Sequence, residues 1–396
     1  MPHILVINAG SSSIKYQLID PVAERRVASG LIERIGEPMG HALHRAGEAT
    51  HEIDLPIPGT VAGFAVMSRA FADAGMPLEE CDVAAVGHRV VQGGSDFAEP
   101  TLITESVADR ILELASLAPL HNPGHHQAIV AALEAFPDVP HVAVFDTAFH
   151  RTMPPAAYTY AIDPAVAERY GVRRYGFHGV SHEVVSRRAA HFLGRSVHEL
   201  RQIVLHLGNG ASACAVDCGR SIATSMGLTP LEGLVMGSRS GDIDPGALLH
   251  LLRAGYDVDQ LDELLNKRSG LMGLAGAKDM RDVRAAAEAD DPAATLAIEV
   301  YARRIRDYVG AYLVALGGAD AIVFTAGVGE NYAHLRALAC AEMEWLGIRI
   351  DPARNDAPGS DARRISTDDS SVEVLVVPTD EEAEIARQTL ALVSAR

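Results

Sequence analysis

The chain has 396 residues, 48 % of them hydrophobic, which is enough for two domains of ordinary size with a substantial core. Its 34 Lys and Arg against 52 Asp and Glu leave a formal charge of −18, a field that repels nucleic acid and anionic membrane surfaces and disfavours both as partners. The first seven residues read as a buried strand and not as a signal peptide, and no run of about 18 apolar residues predicts a membrane span.

Apolar stretches of strand length alternate with helical patterns from end to end, which predicts an α/β fold. In chain order, strands are expected at 4–7, 83–86, 142–145, 203–207, 321–325 and 372–377. A helix is expected over 105–117, with Thr104 as its N-cap and Val107, Ile111 and Leu114 along one face. Another starts at Pro123, a residue suited to a first helical turn, and runs to about Phe136. A long helix over 297–316 stops at Gly317-Gly318. Residues 290–292 and 351–361 read as loops. Cys81, Cys214, Cys218 and Cys340 form no Cys-x-x-Cys pair and read as small apolar side chains of a reduced, cytoplasmic protein.

One pattern occurs twice. Val6-Ile7-Asn8-Ala9-Gly10-Ser11-Ser12-Ser13-Ile14-Lys15 is an apolar strand, a turn of small residues and a second strand around Tyr16 to Leu18. Val204-Leu205-His206-Leu207-Gly208-Asn209-Gly210-Ala211-Ser212 repeats it, with its second strand around Cys214 to Val216. Two such hairpins suggest a duplicated domain. Turns of Gly, Ser and Asn expose backbone N–H groups that hold phosphate oxygens, although either turn alone is also an ordinary hairpin. No Gly-x-x-x-x-Gly-Lys-Ser/Thr loop is present, which disfavours a P-loop fold. Thr325-Ala326-Gly327-Val328-Gly329-Glu330-Asn331 reads as a strand end, a Gly-x-Gly turn and a helix start, able to admit a nucleotide. Tyr332 stands where a dinucleotide fingerprint needs its third Gly.

Arg89 lies within an apolar run and Arg239 in a loop of small residues. A guanidinium in either setting needs an anion: a ligand carboxylate or phosphoryl group, or a neighbouring Asp or Glu. Asp146 follows a strand, at the end where α/β sheets gather ligands, and equally suits a turn cap. His178 sits among aromatics and glycines, whereas His121, His125, His126 and His182 show no metal spacing.

Taken together, these segments resemble the acetate kinases, the acetokinase family within the acetate and sugar kinase, heat-shock chaperone and actin superfamily. The matches continue through Gly87 to Val91, Ala118 to Pro123, Phe145 to His150, Tyr175 to Gly179, Thr229 to Asp242 and Pro378 to Glu382. The resemblance implies an α/β fold of two duplicated ribonuclease H-like (actin-like ATPase) lobes with an interdomain active-site cleft. The lobes are expected at 1–148 plus 381–396 and at 149–380. It further implies ATP or ADP as co-substrate, Mg²⁺ with Mn²⁺ as a substitute, acetate as acceptor, and a homodimer. By family role, Asn8 and Glu381 would sit near the metal, and Lys15, Ser11 and Ser13 near the ATP phosphates. His206, Leu207, Gly208, Asn209 and Gly210 would contact the nucleotide, as would Asp279, Met280 and Arg281. The third nucleotide segment would be Gly327, Val328, Gly329, Glu330 and Asn331. Arg89 would bind the carboxylate, with Val91, Leu120 and Pro230 around the acyl tail. Asp146, His178 and Arg239 would surround the transferred phosphoryl group.

The chemistry is consistent with that cast. A small carboxylic acid has a pKa of about 4, so the nucleophile is already ionised and needs no general base. What it needs is help in approaching a γ-phosphate of like charge, which cations supply. Asp146 then orients an arginine or a metal-bound water. The alternatives are a propionate or butyrate kinase of the same family, a sugar kinase, and a non-enzymatic ATP-binding switch.

Overall fold

The computed structural model describes residues 2–395 except Ser11, Glu24 and Leu120. It comprises two units, Met1–Ala148 with Asp380–Arg396, and Phe149–Thr379. The first unit begins with five strands, β1 (His3–Ala9), β2 (Ser13–Asp20), β3 (Arg25–Glu33), β4 (Gly40–Ala46) and β5 (Ala49–Leu55). There follow α1 (Thr60–Asp73), β6 (Val83–Val90), β7 (Thr101–Leu102), α2 (Glu105–Glu113), α3 (Asn122–Ala135) and β8 (His141–Phe145). They form one eight-stranded sheet in the order β5-β4-β3-β2-β1-β6-β8-β7. Ile4, Leu5, Val6 and Ile7 are each at most 1 % exposed. A strand covered on both faces reads as a continuous apolar run, which is why β1 is legible in the sequence. Thr104 caps α2 by accepting from Val107 N, and a 3₁₀ turn over Leu114–Ser116 replaces the expected last turn of that helix.

The second unit holds α4 (Pro155–Tyr158), α5 (Pro164–Tyr170), α6 (Gly179–Phe192), β9 (Arg201–Leu207), β10 (Ala211–Asp217) and β11 (Arg220–Thr224). Five helices come next: α7 (Pro245–Arg253), α8 (Val258–Lys267), α9 (Gly270–Ala275), α10 (Met280–Glu288) and α11 (Pro292–Leu316). β12 (Ala321–Thr325), α12 (Ala326–Asn331), α13 (Ala333–Cys340), α14 (Pro352–Asp356), β13 (Arg363–Arg364) and β14 (Glu373–Val376) complete it. Its sheet runs β11-β10-β9-β12-β14-β13. The chain then returns to the first unit as α15 (Glu381–Ser394). The boundary falls between Thr379 and Asp380, and the Asp380 side chain caps α15 by accepting from Ala383 N.

The duplication predicted from the two hairpins is present. β3-β2-β1-β6-β8 and β11-β10-β9-β12-β14 have the same order: an antiparallel meander whose first strand continues into two parallel neighbours. The turns differ by one residue. The last β1–β2 pair is Ala9↔Ile14, leaving four residues in the turn, whereas the last β9–β10 pair is Leu207↔Ala211, leaving three.

Several expectations are corrected. Residues 290–292 are not wholly loop, because Asp291 accepts from Ala293 N and Ala294 N and starts α11 at Pro292. Residues 351–361 contain α14, capped by Asp351 and started by Pro352. Gly327 and Gly329 lie inside α12 instead of a separate turn, since helix follows β12 at once with Ala326 at φ +64°. Cys81, Cys214 and Cys340 are buried, but Cys218 is exposed.

Burial also fixes an acid sensitivity. His150 is 0 % exposed, with Nε2 2.9 Å from the Phe177 carbonyl and Nδ1 2.8 Å from Ser221 Oγ. Desolvation holds its pKa down to about 4, the Phe177 carbonyl opposing and Arg174 adding to the shift. The unfolded chain takes up a proton near pH 6.5. The stability of the neutral state is therefore fully present above about 6.5 and is lost as pH falls towards 4, by ~3 kcal/mol for this residue. Urea melts between pH 7 and 4 should show this loss, and a smaller one in His150→Gln; equal losses would contradict it.

Candidate active site

In the first unit the carboxyl ends of the parallel strands β1, β6 and β8 bring together residues far apart in sequence. Arg89 is near the end of β6 and Asp146 follows β8, its backbone N–H donating to the Val90 carbonyl. Arg89 Nε donates to Asp146 Oδ1 at 3.0 Å and Nη2 to Oδ2 at 2.6 Å, a two-pronged contact. Its Nη1 donates to Asn8 Oδ1 at 3.4 Å, and Nε lies 3.7 Å from Glu381 Oε2. Burial disfavours the charged guanidinium, but Asp146 and Glu381 outweigh it and hold the Arg89 proton more tightly than usual. Burial raises the pKa of the Asp146 and Glu381 carboxyls, with Arg89 opposing in both. Of the two adjacent glutamates, Glu381 belongs to the Arg89 cluster, and Glu382 accepts from Lys15 Nζ instead. The turn after β1 closes through Gly10 N–H to the Ser13 carbonyl at 2.8 Å. Val91 is 6 % exposed, in a loop held by Gln92 N–H to Asn122 Oδ1 and by Gly93 N–H to Thr147 Oγ1. Ser11 and Leu120, named from the resemblance, lie outside the described residues.

Among the described residues no three His, Cys, Asp or Glu side chains come close enough to hold a metal. What the first unit does offer is two hard oxygen donors, Asn8 Oδ1 and the Glu381 carboxylate, both against Arg89. That set fits Mg²⁺, which keeps several waters and is usually held by one or two protein oxygens together with substrate phosphates.

In the second unit the β9–β10 turn closes through Gly208 N–H to the Gly210 carbonyl at 2.9 Å. A Cβ placed on Gly210 would stand 2.9 Å from Arg239 Nη2 and 3.4 Å from His178 Nε2, so both groups lie against this turn. His178 takes a left-handed conformation, φ +56°, at the start of α6. Non-Gly residues held this way cost ~1–3 kcal/mol and cluster at functional sites. Its ring stacks on that of His206 at 4.1 Å. Arg239 Nη1 donates to the Pro230 carbonyl at 2.5 Å, and burial lowers its hold on the proton. Among the described residues no carboxylate pairs with Arg239.

A cavity of 460 Å³ next to this turn gathers Gly208, Asn209, Asp279, Met280, Arg281, Gly327, Val328 and Asn331. It does not gather the other nucleotide candidates. Leu207 is 0 % exposed in the core, Gly329 gives its carbonyl to buried Arg336, and Glu330 accepts from Thr379 N–H. His206 lies on β9, paired with Ser212, and Gly210 belongs to the turn itself. Asp279 caps α10 and is held at a pKa of about 2 by the Arg281 side chain and backbone N–H. Leu271, Lys278, Arg284 and Tyr332 also line the cavity and were missed from sequence. Arg284 is one helical turn beyond Arg281, so the α10 period was the signal for it. Tyr332, noted only as a missing glycine, lies beneath the Arg284 guanidinium, 5.3 Å from ring centroid to Cζ.

Gly210→Ala should separate fold from function. The added methyl meets the far end of the Arg239 side chain, not backbone, so the melting temperature should hold while Arg239 shifts. Displacements near 1 Å cost up to ~10² in rate. A kcat within twofold of the parent would show that the Arg239 position is unimportant.

The repeated meander-and-parallel sheet defines the ribonuclease H-like class of two-unit ATPase folds, and the glycine turns sit at corresponding strand ends in the two repeats. The profile of the acetokinase family matches residues 3–387. The chain is 60 % identical over 396 residues, all of both chains, to an acetate kinase of Leifsonia xyli subsp. xyli. The crystal structure of Porphyromonas gingivalis acetate kinase superposes with a TM-score of 0.94 at 40 % identity, covering 99 % of this chain and 100 % of that one. A propionate kinase from Francisella tularensis subsp. tularensis gives 0.93 at 40 % identity, with the same coverage. The chain belongs to the acetokinase family and is a phosphotransferase.

Proposed function

We propose that this enzyme moves the γ-phosphoryl group of ATP to acetate by direct in-line attack, giving acetyl phosphate and ADP, and that it runs in both directions. The observation that carries this reading is Arg239: a desolvated guanidinium without a carboxylate partner among the described residues, set with His178 against a glycine turn. Such a group awaits an anion that the described residues do not supply. Arg89 is the second cation. Held in orientation by Asp146, it is assigned the acetate carboxylate, with Val91 and Pro230 against the methyl group.

Asn8 and Glu381 are assigned to the divalent cation, Mg²⁺ by preference, which when bound neutralises charge on the phosphates. Lys15 and Ser13 are assigned to the phosphates, and the 460 Å³ cavity to the nucleoside. The protein's own contribution is to hold the carboxylate, keep Arg239 and His178 poised for the equatorial oxygens, and remove no proton, because acetate arrives ionised.

Acetate is favoured over propionate by the 60 % identical relative, since an acetate kinase and a propionate kinase superpose equally well at 40 % identity. The test is trapping of acyl phosphate as the hydroxamate, with ATP, Mg²⁺ and a panel of short fatty acids. Acetate is expected to give the highest kcat/KM, with propionate within about 10- to 100-fold, as one methylene is worth ~1–3 kcal/mol. Higher efficiency with butyrate would overturn the assignment, and turnover of ATP independent of any carboxylate would overturn the reaction.

A further inference from the structure

His178 is one end of a short chain of polar groups inside the second unit. Its Nδ1 lies 2.9 Å from Ser212 Oγ on β10, and the same hydroxyl lies 2.7 Å from Nε2 of His182, one turn along α6. Ser212 and His182 are both 0 % exposed. His182 Nδ1 is buried without a hydrogen-bond partner. Desolvation, reinforced by His150 and His206, keeps the His182 ring neutral.

A neutral imidazole has one N–H and one bare nitrogen, and a serine hydroxyl has one proton to give. If the His182 proton were on Nδ1, a buried N–H would be left without an acceptor, the costlier kind of orphan. With the proton on Nε2, only a bare lone pair is left at Nδ1. His182 therefore donates to Ser212 Oγ, and Ser212 turns its own proton to His178 Nδ1. The His178 proton is then on Nε2, the atom against the Gly210 turn beside Arg239. Protonating His178 on both nitrogens would reverse the chain and return the orphan N–H to His182, so the network opposes that state too.

We propose that Ser212 and His182 are positioning residues that fix His178 in its Nε2–H tautomer, so that it donates a hydrogen bond to the transferred phosphoryl group. Phosphoryl oxygens offer only lone pairs, and the opposite tautomer would present a lone pair to them. The inference rests on the role given to His178 above.

The experiment uses the full chain with ¹³C,¹⁵N-labelled histidine, the His178 ring signals being assigned by their loss in His178→Gln. The parent enzyme is expected to show the neutral Nε2–H tautomer, and Ser212→Ala to lose it. In that variant kcat should fall roughly 10²-fold, the cost of one lost donor to a transition-state oxyanion, while KM for ATP and acetate changes less than about threefold. Ser212→Thr, which keeps a hydroxyl, should recover most of the rate. A parent His178 that is protonated or carries Nδ1–H overturns the inference, as does an unchanged tautomer in Ser212→Ala. The parent spectrum decides even if the variants fail to fold. Absence of acyl phosphate formation by the parent would instead overturn the kinase reading, because the tautomer is read without turnover.

Discussion

Arg239→Ala is expected to lower kcat by about 10³ or more, the scale on which a cationic finger acts in phosphoryl transfer. Stability should change little. Arg239 forms no ion pair among the described residues, so its removal strands no buried carboxylate, and the hydrogen bond it loses is to the Pro230 carbonyl. Arg239→Lys should recover only a small part of the rate, because an ammonium cannot reach two phosphoryl oxygens in the fixed geometry of a guanidinium fork. Steady-state kinetics beside a thermal melt checks both halves. A kcat within tenfold of the parent would remove Arg239 from the transition state, and a large fall in melting temperature would make it a structural residue.

Asp146→Asn is the second. Asp146 accepts two hydrogen bonds from Arg89 at 3.0 and 2.6 Å, whereas an amide offers one acceptor and turns an NH₂ towards the other prong. The guanidinium keeps Asn8 and Glu381 but loses its orientation. Breaking a buried pair usually costs 3–5 kcal/mol, and the remaining Glu381 places the expected loss near the lower end, about 3 kcal/mol. Turnover should fall at least ~10²-fold, the cost of reactive groups misplaced by about 1 Å. The shape of the pH–rate profile should be unchanged, since an orienting carboxylate transfers no proton. A rate restored selectively at high pH would identify Asp146 as a base and contradict this.

The arginine–aspartate contact shows where sequence reading stops. Arg89 and Asp146 each stand out locally, one as a charge in an apolar run and the other as an acid at a strand end. Their pairing comes from the parallel register of β6 on β8, in which Arg89 aligns with Val144, two residues before Asp146. A register that brings together two residues 57 positions apart is a tertiary fact and leaves no local pattern. Strands buried on both faces, such as β1, β9 and β12, were legible because burial demands unbroken apolar runs. β5, exposed at six of its seven positions and rich in charge, was not, and it forms by pairing with β4. Both hairpins were read correctly because glycine turns between apolar strands carry their own signal. The relay through Ser212 and His182 was not read, because a buried serine and a helical histidine resemble ordinary core residues until β10 and α6 bring them together.

Overcoming the repulsion between a carboxylate and a phosphoryl group is the task proposed for the two guanidinium groups. Calorimetric binding of MgADP with aluminium fluoride, a mimic of the phosphoryl group in flight, measures it directly when repeated with and without acetate. Acetate should tighten binding at least tenfold, about 1.4 kcal/mol, in the parent enzyme, and should have no effect in Arg89→Ala or Arg239→Ala. An acetate effect that survives unchanged in both variants would contradict that role.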